Sequence, residues 1–285
     1  MNLRVAATAN DTYASAYFAQ DMGYFTRARL NVDLQTFNNG AAIAAAIVGG
    51  AIDIGVSTPV SIANAYLHGF PLVIVAAGSL SNSKARPLLL CISKTSGYKT
   101  AKELEGKTVA VNALKAGSEL ALDCWLAQGG ADISKVKVVE TNFSDMGASL
   151  ERGSIAAAVI SEPALSLALK QNAIQVLGDP NAAIAPQYLN SCWFATREFA
   201  QKNPDLLRRF NSAIYDAQKW ANTHQSESGL ILSKYAKMDI DLIRGMSRSP
   251  FADQLRVSDI QPFLDQAAKY GTIARPVSAA DLVYR

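Results

Sequence analysis

The 285-residue chain reads as an α/β protein of two lobes, each built on its own sheet. Three features predict this. Short apolar strands alternate with helical stretches from the N-terminus to about residue 177. The alternation comes in two runs, the second starting at Leu88, alike in grammar though not in residues. From Glu198 onward the chain turns mostly helical. Hydrophobic residues make up 49% and charged residues 18%, enough for a core and too little charge for a disordered chain.

In the first run, residues 3–8 form a buried strand. Residues 12–22 set Tyr13, Tyr17 and Phe18 at helical spacing, and Gly23 ends that helix. Residues 30–37 alternate strictly, as in a strand with one polar face. Asn38-Asn39-Gly40 signals a turn and cap before a small-residue helix at 41–48, closed by Gly49-Gly50. A strand at 52–56 leads to Ser57-Thr58-Pro59, which caps a helix reaching Leu67, with Pro in its first turn. Residues 71–77 are the next strand. In the second run, strands fall at 88–93, 107–112, 136–140, 156–160 and 174–177, and helices at 100–104, 118–128, 144–153 and 163–171. A loop rich in Pro, Asn and Ala precedes a last strand at 191–196. Asn203-Pro204-Asp205 then opens a long amphipathic helix carrying Leu206, Leu207, Phe210, Ile214 and Trp220 on its apolar side.

Several function classes drop out. The balance of 27 basic and 24 acidic residues leaves +3 with no dense basic stripe, so no nucleic-acid partner is expected. The lysine-rich stretch from Lys84 to Lys115 reads first as a solvated surface and second as a mild positive field over a cleft. Cys91, Cys124 and Cys192 form no CxxC and read as buried inert thiols, with one disulfide among the three left open. His68 and His224 lie in turn-like and polar phrases, and no GxSxG elbow is present, so neither a metal site nor a Ser-His-Asp machine is expected. No run approaches the ~18 apolar residues of a membrane span.

Longer phrases carry a family likeness: YFAQDMGYFTRARLNVDLQTF, NNGAAIAAAIVGGAIDIGVSTP, TAKELEGKTVAVN followed by GSE, GASLERGSIAAAVISEP, and TREFAQKNPDLLRRF with DAQKWAN. In this order, over roughly four-fifths of the chain, they resemble the ABC-transporter substrate-binding proteins of the nitrate/sulfonate/taurine and thiamine-pyrimidine (NMT1/THI5-like) type. One departure is Ala28-Arg29, where the family commonly has Gly. The resemblance implies a two-lobe periplasmic-binding-protein type II fold with two crossover strands. Lobe 1 would be residues 1–86 plus 195–285 and lobe 2 residues 87–194, with crossovers near 86–93 and 191–196. It implies a monomer in the periplasm that takes a small-molecule ligand (sulfonate, carboxylate or pyrimidine-like) to an ABC permease, without catalysis and without a cofactor. The N-terminal MNLRVAATAN holds no long apolar segment, so either the sequence begins after a signal peptide, as a periplasmic protein requires, or the protein is cytoplasmic. The alternatives are an enzyme related to pyrimidine-synthase or menaquinone-pathway proteins, and a ligand-sensing module.

Open α/β sheets bind ligands outside the carboxyl ends of their strands, where helix N-termini present free N–H groups. By position and by the resemblance, the candidate ligand-binding residues are Asn10, Tyr13, Asn39, Gly40, Thr58, Gly117 and Ser118, with Asn82, Asp145 and Trp193 as further candidates. Each Ser, Thr and Asn also has a plain capping role. Tyr13 either stacks on a ligand or belongs to the core, and Trp193 either flanks the cleft or fills the core. Glu162, ahead of Pro163, is either a helix-capping carboxylate or an acceptor for a ligand amine or ring N–H.

Overall fold

The computed structural model describes residues 2–82 and 84–284. Its strands are β1 (Asn2–Ala7), β2 (Asn31–Thr36), β3 (Ile54–Ser57), β4 (Leu72–Ala77), β5 (Leu80–Asn82), β6 (Leu88–Ser93), β7 (Thr108–Val111), β8 (Lys137–Glu140), β9 (Ala157–Ser161), β10 (Ile174–Gly178), β11 (Gln187–Leu189) and β12 (Cys192–Thr196). They build two five-stranded sheets, ordered β2-β1-β3-β12-β4 and β8-β7-β9-β6-β10.

The two orders are the same pattern. In the first sheet β12 runs against its neighbours β3 and β4, while β1 is parallel to β2 and β3. In the second, β6 runs against β9 and β10, while β7 is parallel to β8 and β9. Each sheet thus receives its one reversed strand, in the same place, from a chain segment arriving from the other. Cys192 already pairs in the first sheet, a few residues ahead of the expected boundary at 195.

Burial explains the composition of the strands. β3 and β4 are buried at every position, so they read as continuous apolar runs. Edge strand β2 is half-exposed and carries Asn31, Asp33 and Gln35. In the second sheet successive residues serve opposite faces. Leu89, Cys91, Ala158 and Ile160 join one core, and Leu90, Ile92, Ala157 and Val159 the other. The helix Pro204–Thr223 buries Leu207, Phe210, Ile214 and Ala217 in the large core of the first sheet, leaving Leu206 and Trp220 half-buried. The three cysteines are free and buried. Among the described residues no helix is long and apolar enough to cross a membrane.

Three features depart from the sequence reading. β5 and β11 pair antiparallel as a small sheet where the chain passes between the large ones. Each has three residues, too few to show a period, and β11 falls in what reads as a loop. The expected helix at 12–22 is divided into a 3-10 turn, Asp11–Tyr13, and a helix, Ser15–Asp21. Asn10 caps the turn by accepting the Tyr13 N–H on its side chain. The capped helix expected at 100–104 is a single 3-10 turn, Lys102–Leu104.

The Ala28-Arg29 departure has a structural consequence. Arg29 adopts the left-handed conformation, at φ +56°. Side chains other than Gly incur a penalty of about 1 kcal/mol there. Arg209 holds the turn by donating to the Ala28 and Arg29 carbonyls at 3.2 and 2.9 Å, contacts a glycine would keep. Arg29→Gly should therefore stabilise the fold by about 0.5–1 kcal/mol in urea denaturation; a loss of stability would show that the Arg29 side chain outweighs the strain.

Candidate functional site

The carboxyl ends of the parallel strands in the two sheets face one another. Between them lies a cavity of about 320 Å³. Thr8, Ala9 and Asn10 line it after β1, and Phe37 and Asn38 after β2. From the second sheet come Asn142, Phe143 and Ser144 after β8, and Ser161, Glu162, Pro163 and Ala164 at the end of β9. Ala236 and Met238, from the turn after the helix Gln225–Ala236, complete the wall. Of the sequence candidates, Asn10 and Glu162 line this cavity.

Glu162 is 3% exposed and serves as a helix-capping carboxylate in the cavity wall. Its carboxylate accepts from Ser166 N at 3.0 Å and Ser166 Oγ at 2.9 Å, capping the helix Ala164–Lys170, while the residue walls the cavity. Burial pushes its carboxyl up to about 7, opposed by the Ser166 hydrogen bonds and reinforced by the Asp11 charge. Asp11 is itself fully buried and ion-paired with Arg248, Nε to Oδ1 at 2.6 Å. The Ser249 N–H also donates to Asp11. The Asp11 N–H donates to the Glu162 carbonyl at 3.4 Å, joining the loops after β1 and β9.

Beside the cavity, other candidates form a seam in which the lobes touch. Asn39 caps the helix Gly40–Val48 by accepting from Ala42 N at 2.9 Å, and donates across the seam to the Asn112 carbonyl at 3.4 Å. Thr58 caps the helix Pro59–Leu67 by accepting from Ser61 N. Ser118 Oγ donates to Asn112 Oδ1 at 2.7 Å, steadying the loop after β7. Gly117 packs on Thr58 so closely that an added Cβ would stand 2.8 Å from the Thr58 methyl and 3.1 Å from Phe263. Gly40 is equally tight, its absent Cβ falling 2.3 Å from Ser57 Oγ. Asn64, unremarked in the sequence, adds a bond to the Lys115 carbonyl at 2.6 Å.

The remaining candidates lie elsewhere. Trp193 fills the core: it is fully buried, edge-on to Phe210 at 5.3 Å, with its indole N–H donating to Ser15 Oγ. It does not flank the cleft, because β12 turns that side chain toward the helix Pro204–Thr223. Tyr13 is buried in the same core, where desolvation pushes its phenol far above its usual range. Asn82 caps its own turn, accepting from Lys84 N and Ala85 N. Asp145 is exposed on the helix Phe143–Glu151, one residue beyond the cavity wall. Most of the wall lies outside the sequence candidates, for example Thr8, Phe37, Asn142 and Met238. The first three follow strand ends and were open to the same positional rule; Met238 had no sequence signal.

A larger groove, about 750 Å³, runs between the flanks of the helices Gly40–Val48 and Pro59–Leu67 and reaches Leu114 and Lys115. Its wall is mostly alanine and apolar side chains, and it misses the ends of β1 and β9, so we place the candidate site in the smaller cavity. His68 lies in this groove and His224 stacks on Trp220, both away from the candidate site. Among the described residues no cluster of His, Cys, Asp and Glu could hold a metal ion.

The NMT1/THI5-like family model matches residues 10–228. The chain belongs to the NMT1/THI5-like family. Over 215 residues it is 26% identical to the taurine-binding periplasmic protein of Escherichia coli, an alignment covering 75% of this chain and 63% of that protein. A putative aliphatic sulfonates-binding protein of the same organism is 24% identical, over 70% of this chain and 60% of its own length. The chain thus spans less than two thirds of these curated relatives. The crystal structure of the alkanesulfonate-binding protein SsuA from Xanthomonas axonopodis pv. citri, bound to MOPS, superposes with a TM-score of 0.84 at 16% identity, covering 100% of this chain and 98% of that one. Like this NMT1/THI5-like chain, that protein has the two-lobe fold.

Two outcomes follow from this geometry. In Gly117→Val the new side chain cannot share space with Thr58, so the lobes should be held apart. The radius of gyration in X-ray scattering should rise, and solute affinity should fall by about tenfold or more, equivalent to ~1.4 kcal/mol. The second concerns Asp123, buried in the helix Gly117–Gln128, whose carboxyl is pushed up to about 7 by burial and by Glu119, against the pull of Lys115. The folded state keeps a proton that the unfolded chain releases near 3.8, so Asp123 erodes stability as pH rises from about 4 to 7, and by a constant amount above that. Asp123→Asn should raise the Tm at pH 8 and change it little at pH 4; equal shifts at both pH values would remove this linkage.

Proposed function

We propose that this protein captures a small polar organic solute between its lobes and delivers it to the permease of an ABC importer. The observation that carries this reading is the cavity at the facing strand ends, walled by loops from both sheets and closed by direct contacts between them. A solute held there touches both lobes at once, so binding free energy goes into stabilising the closed arrangement. The relatives named as periplasmic and sulfonate- or taurine-binding support an exported protein acting on a compound of that size and polarity.

The moving units on this reading are residues 1–86 with 195–285, and 87–194, hinged where β5 pairs with β11. The protein acts as a monomer, and the work done is binding and release rather than bond making. Neither histidine is near the cavity, so an acid-base machine built on one has no support there.

A bound solute should raise the Tm and lower the radius of gyration. Native mass spectrometry of freshly purified protein identifies a co-purified compound, and a screen of sulfonates, carboxylates, amines and pyrimidines by thermal shift and X-ray scattering extends it. A broad screen in which no solute moves either quantity would overturn the reading. Turnover of a bound compound without a partner protein would replace it with an enzyme.

A further inference from the structure

The charge around the cavity is one-sided. Of the residues that line it, Glu162 is the one with an ionisable side chain, and none is Lys, Arg or His. The cation that stands behind this wall, Arg248, is already taken up. Its Nε meets Asp11, and its other nitrogens donate to the Gln225 carbonyl at 3.0 Å and to Ser228 Oγ at 3.3 Å. Asp11 takes that base, and Glu162 has no ion-pair partner among the described residues. An anionic ligand would sit beside this carboxylate with no side-chain cation to meet it.

The same wall suits a positive or N–H-bearing group. The Glu162 carboxylate accepts from Ser166 N and Oγ and is also approached by the Ser247 backbone N–H, which leaves part of its roughly four lone-pair sites for a further donor. It is 3% exposed, and burial raises its carboxyl toward neutrality; a ligand cation would supply the compensation it lacks. Phe37 and Phe143 line the cavity from the two lobes, and aromatic faces attract ammonium groups.

We propose that the ligand of this cleft carries a protonated amine or an equivalent N–H donor received by Glu162, and that this residue sets the specificity against solutes bearing only an anionic group. The assignment rests on the solute-binding reading above and narrows its ligand class.

Matched probes test it. Taurine and ethanesulfonate share a sulfonate and differ by one ammonium group; benzylamine and benzyl alcohol share a ring and differ in the same way. Affinities are measured by calorimetry at pH 8, where Glu162 is ionised. At least one amine should bind about tenfold or more tightly than its amine-free partner, the usual size of a charge-assisted hydrogen bond. Glu162→Gln, which keeps an acceptor for Ser166, should abolish that difference. Equal binding within both pairs, tighter binding of ethanesulfonate or benzyl alcohol, silence from all four probes, or discrimination that survives in Glu162→Gln would each overturn the assignment. The wild-type pairs decide the matter even if the variant fails to fold. Binding of ethanesulfonate alone would overturn the ligand class while leaving the solute-binding reading standing, and the broad screen tests that reading separately.

Discussion

The buried ion pair between Asp11 and Arg248 ties the parts of this molecule that bear on the cavity. Both groups are nearly or fully out of water, where an unpaired charge costs several kcal/mol, so each holds the other in place. Asp11 lies in the loop after β1, one residue from the cavity wall, and reaches the second lobe through its N–H to the Glu162 carbonyl. Arg248 opens the segment 248–252, which hydrogen-bonds beside the β5–β11 pair: Leu80 N to the Pro250 carbonyl, and Ala252 N to the Gly78 carbonyl. The cavity, the β5–β11 pair and the C-terminal helices are thereby one connected network. A chain that lacked its C-terminal third would lose the countercharge of Asp11 as well as the helices that cover the first sheet.

Around that network the architecture is a topology used twice. Each lobe has four strands in one direction and one reversed strand donated by the chain as it crosses over. The arrangement places the carboxyl ends of β1 and β9 opposite one another, and with them the N-termini of the helices that follow. Gly117 lets the lobes approach until it touches Thr58 and Phe263, and Asn39 reaches the Asn112 carbonyl across the seam, while Gly40 lets its helix pack on Ser57 within the first lobe. The remaining space is a small cavity whose polarity comes from loops and whose single ionisable wall residue is Glu162.

Much of this was legible before any coordinates. The large-sheet strands fell where apolar runs lie between turn signals, because burial on both faces selects such runs. The caps at Asn39 and Thr58 were legible because their short polar side chains must satisfy free N–H groups at helix starts. The small β5–β11 pair was not, since three-residue strands carry no period. Trp193 illustrates the same limit from the other side. Its place beside a crossover is visible in the sequence, but which way β12 faces depends on the pairing of β12 between β3 and β4.

By itself the sequence determined the fold class, the two runs of strands, the family and the rule that ligand contacts follow strand ends, because these depend on local periodicity and on phrases read in order. Tertiary structure alone decided which strand-end residues share a cavity and which close the seam beside it. It alone brought Met238 to the wall and Arg248 to Asp11 across 237 positions of sequence. It also raised the Glu162 carboxyl toward neutrality. Burial, charge balance and direction of approach are properties of segments meeting in space, and no local pattern encodes them.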